Sequence, residues 1–182
     1  MIPFGEDNNI KIDVAHADLL RALVVAGKPK KVLELGIGGG QATDAILSGL
    51  EYNQQDYEYT LVDNWLDFGR KMPPEVQERY GSRVNLVTLD EREFVFACKE
   101  QYDLIMSDAD HHNTDQWFEY VFEHLVAEGG ILCYHDVTLV DQFPNLLTIL
   151  NRCQEYNLNH KLFNKDSRPG EMCYRGFLVI FK

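Results

Sequence analysis

Short β-rich runs alternate with helical patterns along this chain, and that alternation restricts the fold more than any other feature. Runs at 31–36, 59–65, 84–90, 102–108 and 131–136 read as strands, and helical spacing occupies the segments between them. Strands joined through helices pair in parallel, so the expectation is an α/β fold with helices on both faces of a mainly parallel sheet. Two further strand-like runs, 160–165 and 176–182, have no helix between them. They are expected to close the sheet as an antiparallel hairpin, bringing the strand number to seven.

The expected helices are equally concrete. One covers 13–26, with Asp13 as its N-cap and Leu19, Leu20, Leu23 and Val24 on one side. Others cover 41–50, a short piece near Pro73 and Pro74, 91–100 and 141–156. From Thr114 the residues Trp117, Phe118, Val121, Phe122 and Leu125 recur at helical spacing, with Asn113 and Gln116 as a capping pair and Gly129-Gly130 as the stop. The 182 residues suit one domain, read as an N-terminal helical segment (1–28) and an α/β core (29–182).

Composition excludes several classes. The net charge of −12 repels polyphosphate, so nucleic acid and anionic membrane are not expected partners. No apolar run approaches the roughly 20 residues of a membrane span, and MIPFGEDNN has neither the basic start nor the apolar core of a signal peptide. Cys98, Cys133, Cys153 and Cys173 are far apart with no CxxC pair, as befits reduced thiols in a cytoplasmic protein.

The run Glu34-Leu35-Gly36-Ile37-Gly38-Gly39-Gly40 joins a buried strand to a helix. Glycines there let the backbone turn sharply against a ligand, and the following helix offers free N–H groups. The spacing is G-x-G-x-G, and the last position of a dinucleotide fingerprint falls on Gln41. Asp63 and Asp90 close the next two strands, where one carboxylate can accept ribose hydroxyls and the other an adenine amino group. The bland alternative for each is a loop or helix-capping aspartate.

VLELGIGGG, LVD and VTLD resemble the cofactor motifs of class I S-adenosylmethionine-dependent methyltransferases, and the closing hairpin resembles that of their Rossmann-like seven-stranded sheet. The resemblance runs from about residue 13 to the last strand. It implies S-adenosyl-L-methionine as cofactor, with Glu34 and the Gly36, Ile37, Gly38 and Gly40 loop at its methionine end. Asp63 and Asn64 would then hold the ribose, with Asp90 and Glu91 at the adenine and Asp108 facing the methyl donor. Trp65 is either an adenine platform or a core residue.

The ends of the fourth and fifth strands carry SDADHHN and YHDV. Asp108, Asp110, His111, His112, His135 and Asp136 are candidate ligands or bases, and helix capping before Asn113 is the bland alternative. IMSDADHHN and GGILCYHDV resemble the paired motifs of metal-dependent O-methyltransferases of the catechol, caffeoyl-coenzyme A and macrolide-sugar types. That resemblance implies a divalent cation on Asp108, His135 and Asp136, with His111 as the base and Asp108 and His135 beside the reaction. Those families usually have a carboxylate where this chain has His135, and imidazole suits Mn, Fe, Co or Zn better than Mg.

The sequence therefore reads as a methyltransferase acting on a hydroxyl of a small molecule with a divalent metal (Mn, Mg or Fe). Two alternatives stay open: a metal-free transferase to nitrogen or oxygen using His and Asp bases, and a non-catalytic domain that binds the cofactor. His16, His124 and His160 read as surface or satisfied core, and the acidic runs near Glu91, Glu93, Glu119 and Glu123 as solvated helix faces. The acceptor pocket falls to the N-terminal segment, 66–83 and 166–175, and is either open or completed by a second copy of the chain in a homodimer.

Overall fold

In the computed structural model, which describes residues 14–163 and 175–182, β1 (Lys31–Leu35) sits near the middle of a seven-stranded sheet. Side chains alternate across a strand. Val32 enters an apolar cluster with Leu20, Val24, Ile46, Leu50 and Tyr80, while Leu33 and Leu35 enter a second with Val95, Trp117, Phe118, Leu146 and Ile149. The first cluster lies under α1 (Val14–Gly27), α2 (Gln41–Asn53) and α3 (Pro74–Tyr80). The second lies under α4 (Glu91–Ala97), α5 (Phe118–Tyr120) and α6 (Leu146–Glu155). With helices on both faces, β1 is buried almost throughout, including the carboxyl of Glu34.

β2 (Glu58–Asp63), β3 (Asn85–Thr88), β4 (Tyr102–Ser107) and β5 (Val126–His135) join β1 in parallel, and β6 (Asn159–Phe163) and β7 (Phe177–Phe181) follow. The order is β3-β2-β1-β4-β5-β7-β6, with β7 antiparallel to both its neighbours. The expected closing hairpin is present, and β7 rather than β6 lies against β5. Burial decides this. Phe177–Phe181 is apolar and buried at four positions of five, whereas β6 alternates exposed and half-buried residues and takes the edge.

Three expected elements differ in detail. The helix from Thr114 is a 3-10 turn (Thr114–Trp117), one α turn (α5) and a π turn (Val121–Leu125), and β5 starts at once with Val126. Gly129 and Gly130 therefore lie inside the strand, at a bulge where Tyr102 pairs Val126 and Leu104 pairs Ile131. Trp117, Phe118, Val121 and Leu125 are buried as their spacing implies. α6 begins at Leu146 rather than 141 because Pro144 lacks an N–H and disfavours helical backbone at Phe143. Asn113 makes no side-chain cap bond; its amide donates to Asp110 instead.

The Asp13 cap, Cys173 and loop residues 166–174 lie outside the described residues. Among those described, no helix is long and apolar enough to cross a membrane.

Candidate active site

β1 and β4 are neighbours, and the chain leaves them toward opposite faces of the sheet, α2 on one side and the turns before α5 on the other. A crevice of about 860 Å³ opens at this switch point, where open α/β sheets bind their ligands. Its floor is tied to the sheet: Gly36 N–H donates to the Val62 carbonyl at 2.8 Å, and Asp108 N–H to that of Leu35 at 2.9 Å. Gly36 has φ +85°, and a Cβ there would lie 2.8 Å from the Asp108 carbonyl oxygen. Only glycine satisfies both conditions.

Gly36, Gly38, Asp63, Asn64, Asp90 and Glu91 line one end of the crevice. Asp63 holds the glycine turn in place: Oδ2 accepts from Ile37 N–H at 2.9 Å and Oδ1 from Trp65 N–H at 2.5 Å. Burial raises its pKa, against these backbone donors. Asp90 caps α4 through Arg92 N–H at 3.0 Å and also faces the crevice. Asn64 reaches it at 3.3 Å.

Glu91 is not on a solvated helix face. It is buried and accepts from Trp117 Nε1 (3.0 Å), Asp110 N–H (2.9 Å) and Thr114 Oγ1 (2.9 Å), so it ties α4 to the segment after β4. Glu93 is exposed, as expected.

Glu34, Ile37 and Gly40 stand behind the crevice wall rather than on it. Glu34 is fully buried, accepting from the Thr43 hydroxyl at 2.9 Å and from the Tyr59 hydroxyl. Burial pushes its pKa up to about 8 despite those donors. Trp65 is a core residue whose indole N–H donates to Thr88 at 2.9 Å, and it does not reach the crevice.

At the other end, two carboxylates and two imidazoles converge. His111 Nε2 lies 3.1 Å from Asp108 Oδ1 and 3.2 Å from Asp136 Oδ2. His135 Nδ1 lies 3.4 Å from Asp108 Oδ1 and 3.3 Å from Asp136 Oδ1. Asp108, His135 and Asp136 can each offer a ligand atom within 4.8 Å of the others. Asp108 Oδ1 and His111 Nε2 are buried, and neither has an aligned hydrogen-bond partner. Donor atoms that converge without satisfying one another suit a cation, and this oxygen and nitrogen set suits a divalent first-row metal.

Burial alone would raise Asp108, but the charges of His135 and His111 outweigh it and hold the carboxyl well below its ordinary range. Burial likewise opposes a charged His111, yet Asp108 and Asp136 hold that ring well above its usual value. Asp136 adopts φ +61°, a conformation that Asp tolerates better than most residues and that turns its side chain into the cluster. His111 Nδ1 lies 2.8 Å from the Ala109 carbonyl and donates to it, so Nε2 is the nitrogen that gives up its hydrogen when the ring becomes neutral.

Asp110 and His112 also line the crevice, Asp110 bonded to Asn113 and His112 set edge-on to Phe143 at 5.1 Å. Phe143 itself packs on His111 at 4.7 Å. The sequence carried no local signal for Phe143, for Arg70, or for Arg175, whose Nη1 lies 3.3 Å from both Asp136 oxygens. His16, expected as surface or satisfied core, is buried with Nδ1 3.1 Å from His135 Nε2.

A crevice at the switch point of an open parallel sheet, with a glycine turn at one end and an acid–imidazole cluster at the other, is the ligand site of a doubly wound α/β enzyme. The model of a family described as a methyltransferase domain matches residues 33–137, and the chain belongs to that family. The class I methyltransferase resemblance of the sequence thus holds for both family and fold.

No curated protein matches the chain in sequence. Solved structures similar in fold include the SAH-bound methyltransferase PaMTH1 of Podospora anserina (TM-score 0.74, 16% identity, covering 97% of this chain and 82% of that one). TomG of Streptomyces achromogenes, an O-methyltransferase of tomaymycin synthesis solved with SAM, gives 0.73, 14%, 96% and 82%. The Bacillus cereus O-methyltransferase in complex with SAH gives 0.70, 19%, 95% and 83%.

Proposed function

We propose that this methyltransferase takes its methyl from S-adenosyl-L-methionine and delivers it to a hydroxyl of a small molecule, with a divalent cation on Asp108, His135 and Asp136. One observation carries the reading. Asp108 belongs at once to the donor crevice, beside Gly36, and to the carboxylate–imidazole cluster. Donor and acceptor sites are therefore continuous. The SAM- and SAH-bound O-methyltransferases of the same fold support the donor.

Bound, the cofactor supplies an electrophilic sulfonium methyl, and the cation acidifies and anchors the acceptor hydroxyl. The rest falls to the chain. Gly36 and Gly38 let the backbone approach the donor, and Asp63 and Asp90 offer carboxylate oxygens to ribose and adenine. An acceptor oxygen held beside Asp108 would take the methyl as the carbon–sulfur bond broke, with the electron pair of that bond passing to sulfur. The hydroxyl proton goes to His111 Nε2 once the charge on Asp108 and Asp136 is countered. Phe143 holds the His111 ring and helps exclude water. The free thiols of Cys98, Cys133 and Cys153 support a reducing, cytoplasmic setting.

Arg175 favours a second reading. Its position 3.3 Å from both Asp136 oxygens lets it act as the counter-charge, leaving a metal-free transferase with histidine bases. Calorimetric titration of Mn²⁺ into chelator-treated protein saturated with S-adenosylhomocysteine separates the two. One ion per chain, lost in Asp108→Ala, supports the metal reading. No heat of binding, with the adenosyl ligand still held, leaves the metal-free one. Failure to bind the adenosyl ligand overturns both.

A further inference from the structure

We infer that His16, on α1, is a positioning residue that sets the tautomer of His135 and so aims a lone pair at the Asp108–Asp136 cluster. The inference rests on the metal reading above and adds a residue that the site motifs do not contain. His16 and His135 are each 2% exposed, with Nδ1 of the first 3.1 Å from Nε2 of the second. Their rings meet edge to face, with centroids 5.2 Å apart and planes at 78°, and both pack on Phe177. This pairing joins residues 119 positions apart in the chain.

Two ring nitrogens at that distance share one hydrogen, so its location on one ring dictates the tautomer of the other. With the hydrogen on His135 Nε2 and the ring neutral, His135 Nδ1 carries a lone pair facing Asp108 and Asp136, the arrangement a ligand needs. With the hydrogen on His16 Nδ1, a neutral His135 instead points an N–H at the carboxylates and cannot coordinate.

A ligating histidine ordinarily donates its second N–H to a carboxylate, carbonyl or water. Here a neutral imidazole takes that place. It makes α1 part of the site, since His16 on that helix offers the acceptor that favours the ligating tautomer of His135.

The test compares Mn²⁺ affinity by calorimetry in wild type, His16→Phe and His16→Asn, all saturated with S-adenosylhomocysteine. Phe keeps ring volume and removes the acceptor; Asn Oδ1 stands where Nδ1 does. The expected result is a roughly 10–100-fold loss in His16→Phe, recovery in His16→Asn, and unchanged S-adenosylhomocysteine affinity in both. Equal Mn²⁺ affinity in all three proteins overturns the role of His16 and leaves the cation site intact. Equal loss in both variants also overturns it, by making the residue merely structural. Absence of Mn²⁺ binding in wild type overturns the metal reading itself.

A second measurement holds even if His16→Phe does not fold. In Zn²⁺-loaded wild type, ring ¹⁵N resonances should show His135 protonated at Nε2 and His16 unprotonated at Nδ1. The opposite assignment sinks the inference.

Discussion

Side chains around the crevice divide into those that face a ligand and those that hold the facing ones. His111 faces it, with Nδ1 committed to the Ala109 carbonyl and Nε2 left for the acceptor proton. Its removal should lower turnover by roughly 10²–10⁴-fold without changing S-adenosylhomocysteine affinity. Unchanged turnover in His111→Ala would remove it from the chemistry. Glu34 holds rather than faces. It keeps its proton to about pH 8 in the folded protein against an ordinary value of 4.5, so its contribution favours folding at low pH and is lost as pH rises through that window. Glu34→Gln should therefore flatten the fall in unfolding free energy above about pH 5, by up to about 1.4 kcal/mol per pH unit relative to wild type. Parallel urea-melt profiles for the two proteins would refute this. Legibility follows the same division. The residues of the glycine turn and of both strand-end motifs could be picked out because each sits beside a strand end in the sequence. Glu91 misled as a helix-face acid because its donors, Trp117, Asp110 and Thr114, all come from beyond the next strand. His16 and Arg175 are single residues on unremarkable segments, and only folding gives them partners.

The helical run from Thr114 to Leu125 and the strand it feeds behave as one unit. A π turn ends the run, and its terminal carbonyls have no intrahelical donors. Lys182 supplies them: Nζ donates to Phe122 (2.8 Å), Glu123 (2.8 Å) and Val126 (2.9 Å), and stacks on Phe122 at 5.7 Å. A residue just past β7 thereby fixes where β5 begins. Lys182→Met keeps much of the stem and removes every donor, and should cost about 1–3 kcal/mol, read as a lower thermal midpoint with the sheet otherwise intact. A midpoint equal to wild type would mean that water serves those carbonyls as well. This arrangement also explains why the start of β5 was misplaced. Gly129-Gly130 is a sound helix stop on local grounds, and the earlier ending depends on a lysine just past the neighbouring strand β7, far away in the sequence.

Seen whole, the molecule builds its site from distant parts of the chain. The cluster draws on residue 16, residues 108–111, residues 135–136 and residue 175, so it has no existence apart from the folded sheet. Alternation of strands and helices was enough to read the sheet and its helical layers, because that pattern is local. The order of the two closing strands was not, since either order keeps β6 and β7 paired as a hairpin and only burial on both faces puts β7 inside. That placement bears on how the protein is made. During synthesis β5 and β6 leave the ribosome before the strand that must lie between them. At about 5–20 residues per second, the nascent chain spends an interval with the flank of β5 bare and β6 unpaired, and an uncovered strand is a template for a neighbouring polypeptide. Messages truncated before residue 177 should yield products that stick to chaperones or to one another.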